Sequence, residues 1–175
     1  MITQTIHPMI HLYTGNGKGK TTAALGLALR AAGAGKRVFI AIFVKGKPYS
    51  EHELLHKIPG ITYKLYGRDC FIMHQPEPAD VKAAQHGFRE VKKIVSEQDT
   101  DMLILDEICI ALHYQLINTE EFVRFLQQIP GSVEVVMTGR YAPEALYEIS
   151  DLITEMQEVK HYYQQGIEAR KGIEY

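Results

Sequence analysis

The sequence predicts an α/β fold: a mostly parallel sheet with helices on both faces. Three observations carry this. Strand-length apolar runs alternate with helix-length segments along the whole chain. The strongest run, RVFIAIFV (37–44), is apolar almost throughout instead of alternating, as expected of a strand buried on both faces. Chemically loaded segments recur directly after such runs, where parallel sheets hold their ligands. No stretch reads as a linker, so residues 1–175 are expected to form one domain. An apolar content of 46% is enough to fill its core.

The elements follow in order. Met9 to Tyr13 is a short apolar run leading into a Gly-rich loop, and reads as a buried strand. KTTAALGLALRAAGA (20–34) carries small apolar residues on nearly every face, which predicts a helix packed against a sheet. Gly33 and Gly35 can end it. After the strand at 37–44, Ile61 to Tyr66 is a third strand. GRDCFIMHQPEP contains two prolines and reads as a loop. From Asp80 to Gln98, Val81, Ala84, Phe88, Val91 and Val95 fall at steps of three and four and define one helical face. MLILDE (102–107) is a strand ending in two acids. Thr119 starts a helix with Glu120 and Glu121 in its positive first turn. VEVVMTGR (133–140) and DLITEMQ (151–157) complete the strands. From Glu158 the sequence is polar and irregular.

Composition excludes some function classes. The net charge of -2 gives no electrostatic case for nucleic acid or an anionic membrane. There is no apolar run long enough to span a bilayer, and MITQTIHPMI has no basic leader region. Cys70 and Cys109 form neither a disulfide framework nor a metal spacing. The expectation is a cytoplasmic protein with reduced thiols.

TGNGKGKTT (14–22) fills the end of the phosphate-loop pattern G-x-x-x-x-G-K-[ST] with Gly19, Lys20 and Thr21. Its first place holds Thr14 instead of Gly. Gly15, Gly17 and Gly19 still let the backbone curl its N–H groups inward, and the following helix adds its positive end. Lys20 is expected to meet phosphate as a point charge and the Thr21 hydroxyl to bind Mg²⁺. Asp106 or Glu107, at a strand tip, can hold the same ion. Arg140 either forks onto phosphate or is a surface arginine. Arg30, the single charge in its helix, either reaches the ligand or snorkels to water. His52-Glu53-Leu54-Leu55-His56 matches the zinc-protease pattern H-E-x-x-H, but it is hemmed in by Pro48 and Pro59 and marks no third ligand. No zinc site is assigned to it.

TGNGKGKTTAALGLALRAAG, FVKG (43–46), ILDE (104–107), TGR (138–140) and VKHYYQQGIEARKGIEY (159–175) together resemble the P-loop type of ATP:corrinoid adenosyltransferase, from about Met9 to Tyr175. The resemblance implies a RecA-like domain, usually a homodimer. It implies transfer of the 5′-deoxyadenosyl group of ATP to the cobalt of a reduced Co(I) corrinoid, with release of triphosphate and with a flavoprotein as the cobalt reductant. It places ATP on Gly15, Asn16, Gly17, Lys18, Gly19, Lys20, Thr21 and Thr22, with Arg30 and Arg140 as further candidates. Lys20 and Glu107 would carry the catalysis, and Thr21, Glu107 and Asp106 the Mg²⁺. Better-known members have an N-terminal extension over the site, whereas about eight residues precede the first strand here. Some members set an aromatic pair including Trp against the corrin. This chain has no Trp, and only Phe71 carries over.

The chemistry suits these residues. Cobalt(I) is itself a strong nucleophile, so no side-chain nucleophile or general base is required. The protein must align cobalt with the ribose 5′-carbon and stabilise the departing triphosphate. The alternatives are a P-loop ATPase or small-molecule kinase, in which Glu107 orients water or a hydroxyl, and a nucleotide sensor without turnover.

Overall fold

The computed structural model describes residues 7–68 and 75–175. Phe71, the corrinoid candidate, lies outside the described residues, as do Cys70 and Ile72. The elements run β1 (Ile10–Thr14), α1 (Lys20–Gly33), β2 (Val38–Lys45), a single turn α2 (His52–Leu55), β3 (Ile61–Arg68), α3 (Pro78–Ser96) and β4 (Met102–Asp106). They continue with α4 (Ile108–His113), α5 (Thr119–Gln128), β5 (Glu134–Thr138), α6 (Glu144–Ile149), β6 (Leu152–Glu155) and a 3₁₀ turn at Tyr162–Gln165.

The six strands pair in the order β3-β2-β4-β5-β1-β6, every pair parallel. All strand C-termini therefore lie along one edge. The Gly-rich loop, Asp106 and Thr138 meet there because each ends or follows a strand. β5 stands between β1 and β4, which sets the loop and the acids one strand apart.

Successive β2 residues feed opposite layers. Val38, Ile40 and Ile42 pack with Ala24, Ala28 and Ala31 of α1, while Phe39, Ala41 and Phe43 pack with the α3–α5 layer. This is why the run is continuously apolar. On α1 only one stripe is buried (Lys20, Ala24, Ala28, Ala31), and its small side chains let the helix lie close on the sheet. The expected packing of this helix against the sheet is present, and its outer face is turned away from it, with Leu29 half exposed and Gly26 exposed.

Helix α3 starts two residues earlier than its apolar periodicity indicates. Pro78 takes its first turn, and Glu77 and Asp80 cap each other's backbone reciprocally. Within it, Gly87 lies against the Tyr66 ring: a Cβ there would sit 2.7 Å from Tyr66 Cβ. Gly87→Ala should therefore destabilise the fold by about 1–3 kcal/mol, despite the better helix propensity of Ala, which is worth up to about 1 kcal/mol. Chemical denaturation would measure it, and a more stable variant would show that the ring moves aside freely.

The opposite edge of the sheet is fastened by Asp101. It accepts from Arg37 N (2.8 Å), Nε (3.2 Å) and Nη2 (2.9 Å), joining the starts of β2 and β4. These bonds, with the guanidinium charge, lower the Asp101 carboxyl to about 2. An unfolded Asp titrates near 3.9. The clamp therefore contributes fully above about pH 4, and its contribution is lost as pH falls through about 2. Asp101→Asn should flatten the fall in stability between those values, as read by denaturant midpoints at stepped pH.

Candidate active site

Thr14 ends β1 and Gly15 takes the left-handed turn (φ 94°) that the pattern's first glycine would supply. A Cβ on Gly17 would lie 2.7 Å from the Met156 carbonyl, which itself accepts Gly17 N–H at 2.6 Å. Met156 N–H in turn donates to Thr14 O at 2.8 Å. The segment after β6 thus clamps the loop from outside. This is the physical reason the departure at Thr14 is tolerated: the tight spots fall at Gly15 and Gly17.

Lys20, the first residue of α1, is buried beneath the loop. Its Nζ donates to Gly15 O (2.8 Å) and Gly17 O (2.7 Å). Burial, and then the nearby positive charge of Arg140, lower its pKa, while Glu107 and Asp106 oppose the shift. An ammonium so placed gains from an arriving anion. Arg140 Nη2 donates to Asn16 O at 3.1 Å, so the arginine lies against the loop.

Asp106, buried at the tip of β4, accepts from Thr21 Oγ1 (2.8 Å) and Thr138 Oγ1 (2.7 Å). Thr138 also accepts the Glu107 N–H at 3.0 Å and so ties β5 to the acid pair. Lys45 Nζ lies 3.4 Å from Asp106 Oδ2 and 3.5 Å from Glu107 Oε1. Burial works against the Lys45 charge, but the two carboxylates outweigh it and raise its pKa. Burial raises the pKa of Glu107 and the Asp106 charge adds to it; Lys45 and Lys20 pull the other way.

Thr21 Oγ1, Asp106 and Glu107 present hard oxygen donors on one side of the loop. That donor set fits Mg²⁺, which takes one or two carboxylates and completes its shell with water and phosphate oxygens. Among the described residues no group of three or more His, Cys, Asp or Glu is arranged to hold a metal by itself. His52 is buried, its Nδ1 accepting Tyr49 N–H at 2.6 Å, and His56 Nδ1 sits 3.2 Å from His52 O.

Backbone strain marks the same place. Of the five described non-Gly residues with left-handed φ, three belong here: Val44 (67°), Glu107 (57°) and Tyr141 (59°), while Gln98 and Gln115 lie elsewhere. These three follow or end β2, β4 and β5, and all line one open cavity of about 1060 Å³. Such conformations cost of order 1–3 kcal/mol each and cluster at functional sites. The cavity floor is the Gly-rich loop with Lys20, Thr21 and Thr22, and Lys45, Glu107 and Arg140 lie on its sides. Its mouth carries exposed apolar groups: Leu29 (50%), Leu54 (61%) and Tyr141 (53%). Asp106 stands just behind this surface, bonded to Thr21.

Arg30 is not brought to this cavity. It lies exposed in the last turn of α1, near enough to Tyr13 for its charge to oppose the rise in that phenol's pKa caused by burial. Lys45 and Thr138 are the members of the site to which no role was assigned from sequence. Both sit in segments singled out there, FVKG and TGR. Only strand order reveals that Lys45 faces the β4 acids, since β2 and β4 are adjacent while far apart in the chain. The C-terminal segment is the other surprise: residues 172–175 also line the cavity.

A family model described as ATP:corrinoid adenosyltransferase BtuR/CobO/CobP matches residues 7–175. A corrinoid adenosyltransferase of Sinorhizobium sp is 37% identical over 171 residues, 95% of this chain and 80% of that protein. One from Escherichia coli K12 is 34% identical over 168 residues, covering 95% and 85%. Corrinoid adenosyltransferase CobA of Salmonella typhimurium LT2 has the same identity and coverage.

Proposed function

The chain belongs to the ATP:corrinoid adenosyltransferase family and is an enzyme that transfers an adenosyl group from ATP to a corrinoid; we propose that it does so by holding the triphosphate on the Gly-rich loop while the bond to the sugar breaks. The observation that carries this is the pairing of an anion cradle with an apolar mouth. Lys20 and the Gly-rich loop form the floor with Arg140 beside them, and Leu29, Leu54 and Tyr141 surround the opening. A kinase for a small polar substrate, or a water-using ATPase, has no need of exposed leucines there. A flat, largely apolar macrocycle does.

The geometry supports the following roles. Cobalt(I) attacks the ribose 5′-carbon, a cobalt–carbon bond forms, and the carbon–oxygen bond to triphosphate breaks. No proton leaves the attacking atom. Lys20 and Arg140 stabilise the charge that gathers on the leaving group, helped by the backbone N–H groups of Gly15, Asn16, Lys18 and Gly19 and by the first turn at Thr21 and Thr22, while the Gly17 N–H stays on Met156 O. Thr21, Asp106 and Glu107 would hold Mg²⁺, which when bound neutralises phosphate charge. Lys45 sets its ammonium beside both acids and offsets part of their negative charge. Lys20 and Glu107 are the residues on which the rate should depend most.

The same reading includes a homodimer, a flavoprotein that supplies the cobalt electron, and a cytoplasmic setting with Cys109 as a buried free thiol. Among the described residues no helix is long and apolar enough to cross a membrane. Phe71 remains the aromatic candidate for the corrin face. Incubation with ATP, Mg²⁺ and a chemically reduced corrinoid should give a light-sensitive cobalt–carbon product and triphosphate in equal amounts. Formation of ADP and free phosphate alone would reject this function.

A further inference from the structure

Lys18 stands in the middle of the Gly-rich loop, yet its ammonium points away from the loop, toward the C-terminal segment. Its Nζ donates to Glu174 Oε1 (2.7 Å), Ile173 O (2.9 Å) and Tyr162 OH (3.0 Å). An ammonium has three N–H donors, so all of them are taken. Glu174 is bound further by the Tyr162 hydroxyl and by Arg170 N–H at 2.6 Å, and the Arg170 guanidinium lies 4.8 Å from the Tyr162 ring centre. Lys18, then Tyr162, hold the Glu174 carboxyl well below the usual range.

A second attachment lies across the cavity. Ser50 Oγ donates to the Tyr175 main-chain oxygen at 2.9 Å, and the Tyr175 ring meets Tyr49 edge-on at 6.3 Å. Lys45, which faces Asp106 and Glu107, lies 5.3 Å from the Tyr49 ring centre. Residues 170–175 are otherwise largely exposed. They are held through their last three residues: Ile173 and Glu174 on the loop, and Tyr175 on the bank that carries Lys45.

We infer that the Lys18 side chain is the anchor of the C-terminal segment and not a phosphate ligand, and that Glu174 is a positioning residue that fixes this segment as a wall of the nucleotide cavity. This rests on the cavity being the ATP site and departs from the resemblance at Lys18. The wall keeps the loop tip in place through Lys18, while Met156 holds its base. With all three N–H donors taken, this ammonium can donate to an arriving polyphosphate only by giving up a protein acceptor.

The test has two arms. Without ATP, trypsin cleavage after Arg170 and Lys171 should be about tenfold faster in Lys18→Met and in Glu174→Ala than in the wild type. Equal rates would overturn the anchor. With ATP, calorimetry on wild type, both single variants and the double variant should give a coupled cycle. Each single change weakens ATP about tenfold, and the double change weakens it no further. In Glu174→Ala the KM for ATP should rise about tenfold while kcat falls less than about threefold. If Lys18→Met loses 100-fold or more and Glu174→Ala loses nothing, Lys18 touches phosphate and the inference fails. A wild type that does not bind ATP contradicts the nucleotide reading of the cavity instead, and the proteolysis arm still decides the anchor.

Discussion

Lys20→Ala should lower adenosyl transfer by about 10²–10³-fold with the fold retained. The side chain is buried under the loop, bonded only to Gly15 O and Gly17 O, with its charge disfavoured by burial and by Arg140. Removing it relieves a buried charge, and the two carbonyls face a cavity that water can fill. Stability should therefore change little. The rate should change greatly, because a preorganised cation at the leaving group is worth that factor where water is excluded. Near-normal turnover at saturating ATP, with circular dichroism unchanged, would remove Lys20 from its role.

Asp106→Asn should lower transfer by on the order of 10²-fold and raise the Mg²⁺ concentration needed for half-maximal rate. Asn keeps an oxygen for Thr21 and Thr138 but sets a neutral amide before Lys45. The stability cost should be about 1–3 kcal/mol, that of a weakened buried hydrogen-bond set. Asp106→Ala, which strips every partner from a buried network, should cost about 3–5 kcal/mol. Equal Mg²⁺ dependence in wild type and Asp106→Asn would exclude Asp106 from the metal site.

Much of this site is legible in the sequence because its parts are local. The loop, its helix and the strand before it occupy one continuous stretch, so the spacing of glycines, Lys20 and Thr21 states the cradle directly. MLILDE carries its own evidence: an apolar strand followed by acids. The boundaries it leaves open are those set by tertiary contacts. Glu107 leaves the strand for a left-handed turn because Thr138 captures its N–H. Helix α4 goes unmarked because ICIALH is six residues long and apolar up to His113, too short and too uniform for a helical period to show. Helix α6 is a turn and a half that buries only Leu146 among its six residues.

The contacts that sequence does not disclose span the chain. Lys45 meets Asp106 across 61 positions, and Lys18 meets Glu174 across 156. Neither pair has a spacing that signals it. The C-terminal segment reads as irregular because it has no periodic apolar face. Its order comes from single polar contacts with the loop and with Ser50. The resemblance carried the segment as a signature, and the geometry supplies its physical use.

The proposed function requires the loop to hold a triphosphate that departs intact, so that the bond that breaks joins oxygen to the sugar carbon. ATP labelled with oxygen-18 at the 5′ bridging position tests it. After reaction with reduced corrinoid, mass spectrometry should find the label wholly in triphosphate and none in the adenosyl product. Label retained on a nucleoside or nucleotide product, with phosphate or diphosphate released unlabelled, would contradict the account.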